Sequence, residues 1–280
     1  MAVVGIDLGG TNVRAGWVEG ERVGEVAAAA IPGDRPQEEV LAAFFAVVDQ
    51  VVRPGVQGIG VGVPSVVDLK TGVIYDVQNI PAWKEVPLKG LIEARYGVPA
   101  YVNNDANCFA VGELYFGKAR GFEHAVGLIV GTGLGAGVIA NGRLYAGANC
   151  GAGEFGMLPY RDKTFEDYAC GRFFKDVHKT SGRELHERAV RGDAEALAIF
   201  REFGSHLGEA VKAILFAVDP EIVVFGGSVS KAYAFFKDSL AASVRDFPYS
   251  ITARNIKLAV SETEHIAIRG AAALYFDARK

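Results

Sequence analysis

The chain has little cysteine, no long apolar run, no excess of charge of one sign and no GK[ST] tripeptide, and each shortage removes a class of function. Its three cysteines, Cys108, Cys150 and Cys170, are an odd number without CxC or CxxC spacing. That argues against a disulfide framework or a zinc knuckle and for buried free thiols. The five histidines, His124, His178, His186, His206 and His265, show no metal-ligand spacing either. A formal net charge of -4 with interspersed signs provides no basic stripe for nucleic acid and no polybasic segment for a membrane surface, so neither partner is expected. The longest weakly polar stretch, 125–140, is shorter than the roughly 20 residues of a bilayer span and is rich in glycine, so it reads as buried strand. Without GK[ST] there is no P-loop. Met1 runs straight into AVVGID with no basic n-region, and a cytoplasmic protein is expected.

What is present is a 280-residue, 50% hydrophobic chain, enough for one large or two ordinary domains, and two lobes are the expectation. Short β-branched runs at 3–7, 14–18 and 23–29 predict three consecutive strands, and 37–52 changes to a helical period. A strand is expected over 57–62. A loop with Asn79, Pro81, Trp83 and Pro87 follows, then a helix over 88–96 and a strand over 100–102. Asn103, Asn104 and Asp105 then cap a helix that reaches about Leu114. Helical spacing returns at 194–217 and 266–276, and DPEIVVFGG reads as a loop and a buried strand. AGWVEGERV (Ala15 to Val23) and AGVIANGRL (Ala136 to Leu144) share an Ala-Gly start and an Arg-apolar ending, each after a glycine-rich turn. Either two short hairpins agree by chance, or half a molecule is repeated and each lobe offers a hairpin to a shared cleft.

Several stretches can carry chemistry. In GIDLGGTNVRAGWV the strand breaks at Gly9-Gly10 and resumes as a strand, where a nucleotide-binding loop normally leads into a helix. The two glycines let backbone N–H groups approach an anion, Asp7 can hold a hydrated Mg²⁺, and Thr11, Asn12 and Arg14 add a hydroxyl, an amide and a fixed positive charge. A bare Gly-Gly would be only a tight hairpin; the polar residues around it favour a phosphate site. GTGLGAG, Gly131 to Gly137, fits a dinucleotide fingerprint by spelling, but VIANGRL follows where a helix is required. Gly131, Thr132 and Gly133 therefore form a second phosphate-facing turn. Gly226 and Gly227, ending the strand 222–225, could lie under a purine or ribose, or simply serve a strand-to-helix turn. Asp105 can be a plain N-cap. In a cleft, the same carboxylate would accept a proton from a hydroxyl attacking phosphorus. Glu154, in GAGEFG, has no salt-bridge partner nearby in sequence and suits hydrogen bonding to sugar hydroxyls, or else an exposed turn.

Taken together these motifs resemble the ROK family (repressor, open reading frame, kinase) of the actin and hexokinase ATPase superfamily. The resemblance covers nearly the whole chain through DLGGTNVRAG, GVGVPSVVD, QNIPAW, NNDANCFAVGE, GTGLGAGVIANGRLYAGANCGAGEFG and VVFGGSVS. It implies a two-lobed α/β, actin-like (ribonuclease H-like) fold with an interlobe cleft, with a smaller lobe of residues 1–104 plus 267–280 and a larger one of 105–266. It implies Asp105 as the base, and Asn79, Asn104, Asp105, Glu154 and Glu166 as sugar ligands. Asp7, Gly9, Gly10, Thr11, Thr132, Gly133, Gly226 and Gly227 would serve Mg-ATP, joined on local grounds by Asn12, Arg14 and Gly131, with Asp7 reaching Mg²⁺ through water. The chain departs from the family at Met157, where a histidine is usual, and in LPYRDKTFEDYACG, which stands in place of a cysteine-rich zinc loop. No zinc site is expected.

The resemblance implies an ATP- and Mg²⁺-dependent hexose kinase, a glucokinase first, with fructose, mannose or N-acetylmannosamine as other acceptors and polyphosphate as a further donor known in the family. A homodimer is the assembly expected from the family. The family's repressors carry a helix-turn-helix before the first strand, and Val3 already belongs to that strand. A non-catalytic sugar sensor or a structural protein of the actin class is the remaining alternative, against which stands Asp105 beside both glycine hairpins.

Overall fold

The computed structural model describes all 280 residues. The chain opens with β1 (Ala2–Leu8), β2 (Asn12–Glu19) and β3 (Arg22–Ala30), then helix α1 (Gln37–Val48) and β4 (Ile59–Val63). Three two-residue strands, β5 (Val66–Val67), β6 (Ile74–Tyr75) and β7 (Glu85–Val86), form a small antiparallel sheet where the sequence predicts only a loop. Then come α2 (Leu88–Tyr96), β8 (Ala100–Asn104) and α3 (Asp105–Phe116). The next part begins with β9 (Ala125–Val130), β10 (Leu134–Ala140) and β11 (Arg143–Tyr145), and a hairpin of β12 (Pro159–Tyr160) and β13 (Lys163–Thr164) follows. Helices α4 (Phe165–Tyr168), α5 (Gly171–Asp176), α6 (Gly182–Val190) and α7 (Ala194–Val218) lead to β14 (Ile222–Gly226). The chain closes with α8 (Tyr233–Arg245), α9 (Ser250–Asn255), β15 (Lys257–Val260) and α10 (Ile266–Asp277). No helix is long and apolar enough to cross a membrane.

Two five-stranded sheets carry the fold, in the orders β3-β2-β1-β4-β8 and β11-β10-β9-β14-β15. Numbered along each half, both read 3-2-1-4-5, so the resemblance between the two hairpin sequences extends to a repeated strand order. In the first sheet β1 pairs antiparallel with β2 and parallel with β4, and β4 pairs parallel with β8. In the second, β14 runs parallel to both β9 and β15. Antiparallel hairpins need only tight turns, whereas the parallel neighbours are reached through longer crossovers.

The chain divides into two compact units, Met1–Gly121 with Gly137–Ala152 and Glu262–Lys280, and Phe122–Ala136 with Gly153–Ser261. The expected lobes, 1–104 plus 267–280 and 105–266, cut elsewhere. Helix α3 groups with the first unit because it packs on α10, and Gly112 and Gly270 let the two backbones meet there. Helix α10 lies on the sheet at Gly60, where any Cβ would strike the Ala271 carbonyl. The first unit's core gathers Val40, Phe44, Val61, Ile80 and the fully buried Trp83. In the second unit Phe173, Phe174, Phe200, Phe203 and Phe236 form a continuous aromatic cluster, mostly edge-on and tilted, between α5, α7 and α8.

Candidate functional site

In the first unit the site residues collect at the C-terminal ends of β1, β4 and β8. Asp7 stands in register with Gly62 of β4, and Gly62 with Asn103 of β8. Two strand spacings, about 10 Å, thus separate the backbones of Asp7 and Asn103 at one sheet edge, the edge where open parallel sheets bind ligands. The β1–β2 turn is closed by Gly9 N–H donating to the Asn12 carbonyl at 2.8 Å, and Ile31 N–H donates to the Thr11 carbonyl at 2.9 Å. The Asn12 amide donates to the Thr11 hydroxyl at 2.9 Å. Asp7 and Arg14 face each other across the hairpin, and Arg14 Nε donates to Asp7 Oδ2 at 3.0 Å. The Arg14 charge predicted beside a nucleotide is therefore engaged with Asp7.

The structure brings Asn79 to this turn. Its side chain lies where a Cβ at Gly10 would project, and its carbonyl lies against Gly33. Asn79 holds this pose with φ at 61°, a left-handed conformation that asparagine tolerates better than most residues.

The polar run at 103–105 divides its labour. Asn104 caps α3, its Oδ1 accepting from Ala106 N–H at 2.9 Å, while its amide donates to the Ser65 carbonyl at 3.4 Å. Asp105 Oδ1 accepts from the same Ala106 N–H at 2.8 Å, and the residue is exposed at the start of α3. Asn103 turns inward instead. Its Oδ1 accepts from Asn104 N–H at 2.8 Å, Asn107 Nδ2 at 2.9 Å and the Cys150 thiol at 3.2 Å. By sequence Asn103 is one of three cap residues; in the structure it is a buried hub instead.

In the second unit Gly131, Thr132 and Gly133 join β9 to β10, and β10, not a helix, follows, as VIANGRL predicts. Gly171 N–H donates to the Gly131 carbonyl at 2.7 Å, and the buried Cys170 thiol lies between two acceptors for its single proton, the Thr132 carbonyl at 2.9 Å and the Glu166 carbonyl at 2.8 Å. Glu166 Oε2 accepts from Leu134 N–H at 2.9 Å, and its Oε1 pairs with Arg172 Nη1 at 3.0 Å. Glu154 precedes a 3₁₀ turn, Phe155–Met157. Packing around its carboxyl and the Glu166 charge push the Glu154 carboxyl above the usual carboxylate range. Glu154, unpaired by sequence, thus has a carboxylate neighbour.

The hairpin β12–β13 joins these two acids and is tied to α4 and α7: the Tyr160 ring stacks on Phe165 of α4 with centroids 4.5 Å apart, and its hydroxyl lies 3.0 Å from His206 Nδ1 of α7. Met157 is exposed. All three cysteines are buried and none is in a disulfide, and no group of three or more His, Cys, Asp or Glu side chains is placed to hold a metal.

Of the glycine pair after β14, Gly226 is buried within the strand, and Gly227 reaches the surface with φ at 85°. Gly227 sits so close to the Val130 carbonyl that a Cβ has no room. Beside Gly131 and Thr132 a cavity of about 1180 Å³ opens, lined also by Arg172, Lys179, Ser228 and Lys231. Cations outnumber acids along its walls, which suits a polyanion. The predicted residues thus fall into two sets. Asp7, Gly9, Gly10, Thr11, Asn12, Arg14, Asn79, Asn104 and Asp105 lie on the first unit, and Gly131, Thr132, Gly133, Glu154, Glu166, Gly226 and Gly227 on the second. Arg172 and Cys170 belong with the second set and were not foreseen. ACGR carries no signal by itself, since the partner of Arg172 is recognised only when α4 and α5 bring it within reach.

The family model described as "ROK family" matches residues 3–278. A glucokinase of Thermotoga maritima is 28% identical over 281 residues, spanning 88% of this chain and 88% of the relative. A xylose repressor of Caldicellulosiruptor bescii is 25% identical over 305 residues, spanning 95% of this chain and 76% of the relative. The crystal structure of a ROK family glucokinase from Streptomyces griseus in complex with glucose and AMPPNP superposes with a TM-score of 0.82 at 26% identity, over 100% of both chains. The architecture is the two-lobed actin-like ATPase fold of sugar kinases. The chain belongs to the ROK family, whose members among these relatives include both kinases and a repressor.

Proposed function

We propose that this protein transfers the terminal phosphoryl group of ATP to a hydroxyl of a hexose, glucose first, with fructose and N-acetylmannosamine as the alternative acceptors. The observation that carries the reading is Asp105, an exposed carboxylate held by Ala106 N–H at the sheet edge that also bears Asp7 and the glycine turn. Asp105 accepts the proton of the acceptor hydroxyl as that oxygen attacks phosphorus. Asn79, Asn104, Glu154 and Glu166 hold the remaining hydroxyls, which fixes the reacting oxygen in line and removes much of the entropic barrier.

The donor phosphates fit the two glycine turns. No atom lies within 4 Å of the point where a Gly131 Cβ would project, so the backbone there opens onto the basic cavity. Magnesium usually binds through one or two carboxylates and the substrate phosphates, and Asp7, a single carboxylate beside Gly9 and Gly10 whose Oδ2 is held by Arg14, suits that pattern with contact through water. When bound, the ion neutralises charge on the donor.

Similarity to a xylose repressor supports a second reading, sugar binding without transfer. The test is ADP release with Mg-ATP across glucose, fructose, mannose, N-acetylglucosamine and N-acetylmannosamine, with binding measured in parallel. Turnover on a hexose upholds the kinase. Hexose binding with no ADP release upholds the sensor.

A further inference from the structure

Glu166 and Arg172 occupy a boundary. The two oxygens of Glu166 are both engaged, Oε2 by Leu134 N–H at 2.9 Å and Oε1 by Arg172 Nη1 at 3.0 Å. The Arg172 side chain is about half exposed, at 47%, against 18% for Glu166. The same arginine lines the basic cavity next to Gly131 and Thr132. Its backbone is fixed there, since Gly171 N–H donates to the Gly131 carbonyl at 2.7 Å and Arg172 N–H donates to Cys170 Sγ at 3.4 Å. The neighbouring acid, Asp167, feels the Arg172 charge but makes its hydrogen bonds elsewhere, its Oδ2 accepting from Thr164 N–H and the Thr164 hydroxyl at 3.2 and 2.7 Å.

A guanidinium so placed has two possible anionic partners. One is Glu166; the other is any phosphate that enters beside Thr132. A partly solvated ion pair is weak, screened by water and salt, whereas a phosphate offers two of its oxygens to the planar guanidinium fork and carries more charge than one carboxylate.

From this geometry we infer that Arg172 couples donor to acceptor: the donor's phosphate draws the guanidinium away from Glu166 Oε1, and the released oxygen takes a sugar hydroxyl. The inference rests on the proposed kinase reading and adds to it a named residue and a direction of coupling. Donor binding raises affinity for the sugar, and by linkage the sugar raises affinity for the donor by the same factor. The device also disfavours hexose capture without a donor, since Arg172 then competes for the same carboxylate.

The experiment is calorimetric titration of the hexose that the panel identifies, with and without saturating Mg²⁺ and a non-hydrolysable ATP analogue. In the wild type the hexose Kd should tighten at least about 5-fold when the analogue is present. In Arg172→Gln the ratio should fall to about one, and in Arg172→Lys, which keeps the charge without the fork, it should lie between. Lys231→Gln removes a cation of the same cavity that does not touch Glu166; it should weaken the analogue and leave the ratio at the wild-type value. A wild-type ratio near one, or an unchanged ratio in Arg172→Gln, overturns the coupling while phosphoryl transfer stands. Failure of the wild type to bind both any hexose and the analogue overturns the kinase reading and the coupling with it.

Discussion

Glu154 and Glu166, on either side of the β12–β13 hairpin, share one patch of the second unit, and the charge of Glu166 helps to raise the Glu154 carboxyl. Two acids at one spot with no cation on Glu154 are costly to a folded protein and useful to a ligand rich in hydroxyls. The native state holds the Glu154 proton more tightly than the unfolded chain does. Stability is therefore lost as pH rises through the unfolded value, about 4.3, toward and past the raised native one.

Glu154→Gln should accordingly stabilise the protein at neutral pH. We expect its melting temperature at pH 7 to exceed that of the wild type by roughly 1–3 °C, a small figure because the site reaches water. The gain should vanish below about pH 4, where the wild-type carboxyl is protonated in both states. Thermal scans across pH 3.5–8 check this. An equal gain at every pH would show that the carboxyl is not under electrostatic strain.

Asn103→Ala should destabilise the first unit by about 1–3 kcal/mol, because it strands Asn104 N–H, Asn107 Nδ2 and the Cys150 thiol around a side chain only 7% exposed. It should also slow phosphoryl transfer, since Asn104 and Asp105 follow directly. Urea denaturation and steady-state rates measure the two effects, and wild-type stability in the variant would refute the hub.

Gly227→Ala and Gly131→Ala separate two uses of glycine. At Gly227 the left-handed φ and the Val130 carbonyl leave no place for a methyl, and a loss of about 2–4 kcal/mol is expected. At Gly131 a Cβ meets no atom, so stability should change by less than about 1 kcal/mol, while the methyl intrudes on the donor phosphates and weakens ATP-analogue binding. Chemical denaturation and analogue titration on both variants decide it. The reading of Gly131 fails if its variant binds the analogue as the wild type does.

Much of this was legible in the sequence because the signals are local. A glycine turn between two β-branched runs specifies a hairpin within a dozen residues, and both hairpins formed with strands on each side. Asn104 caps α3, as a polar residue before a helical period should, and helix 88–96 agrees to the residue. The expected helix 37–52 stops at Val48, where the chain tightens into turns closed by Gln50 N–H to the Val47 carbonyl and Val51 N–H to the Val48 carbonyl. Properties that depend on tertiary approach were not legible. Asn103 looks like one more cap residue until Asn107 and Cys150 close around it, and Arg172 looks like a surface cation until α4 and α5 present it to Glu166. The unit boundary follows the packing of α3 on α10, elements some 150 residues apart that no window of sequence connects. Gly226 and Gly227 read as an equivalent pair, yet strand β14 buries the first and turns out the second.

The central claim is that Asp105 deprotonates a hexose hydroxyl during transfer from ATP. The most direct measurement compares wild type and Asp105→Asn on the preferred hexose, with the phosphorylated product identified by phosphorus NMR and hexose affinity measured on both. The account requires a hexose phosphate from the wild type, turnover lower by about 10²–10⁴ in the variant, and hexose binding largely retained. Equal turnover in the two proteins would contradict it.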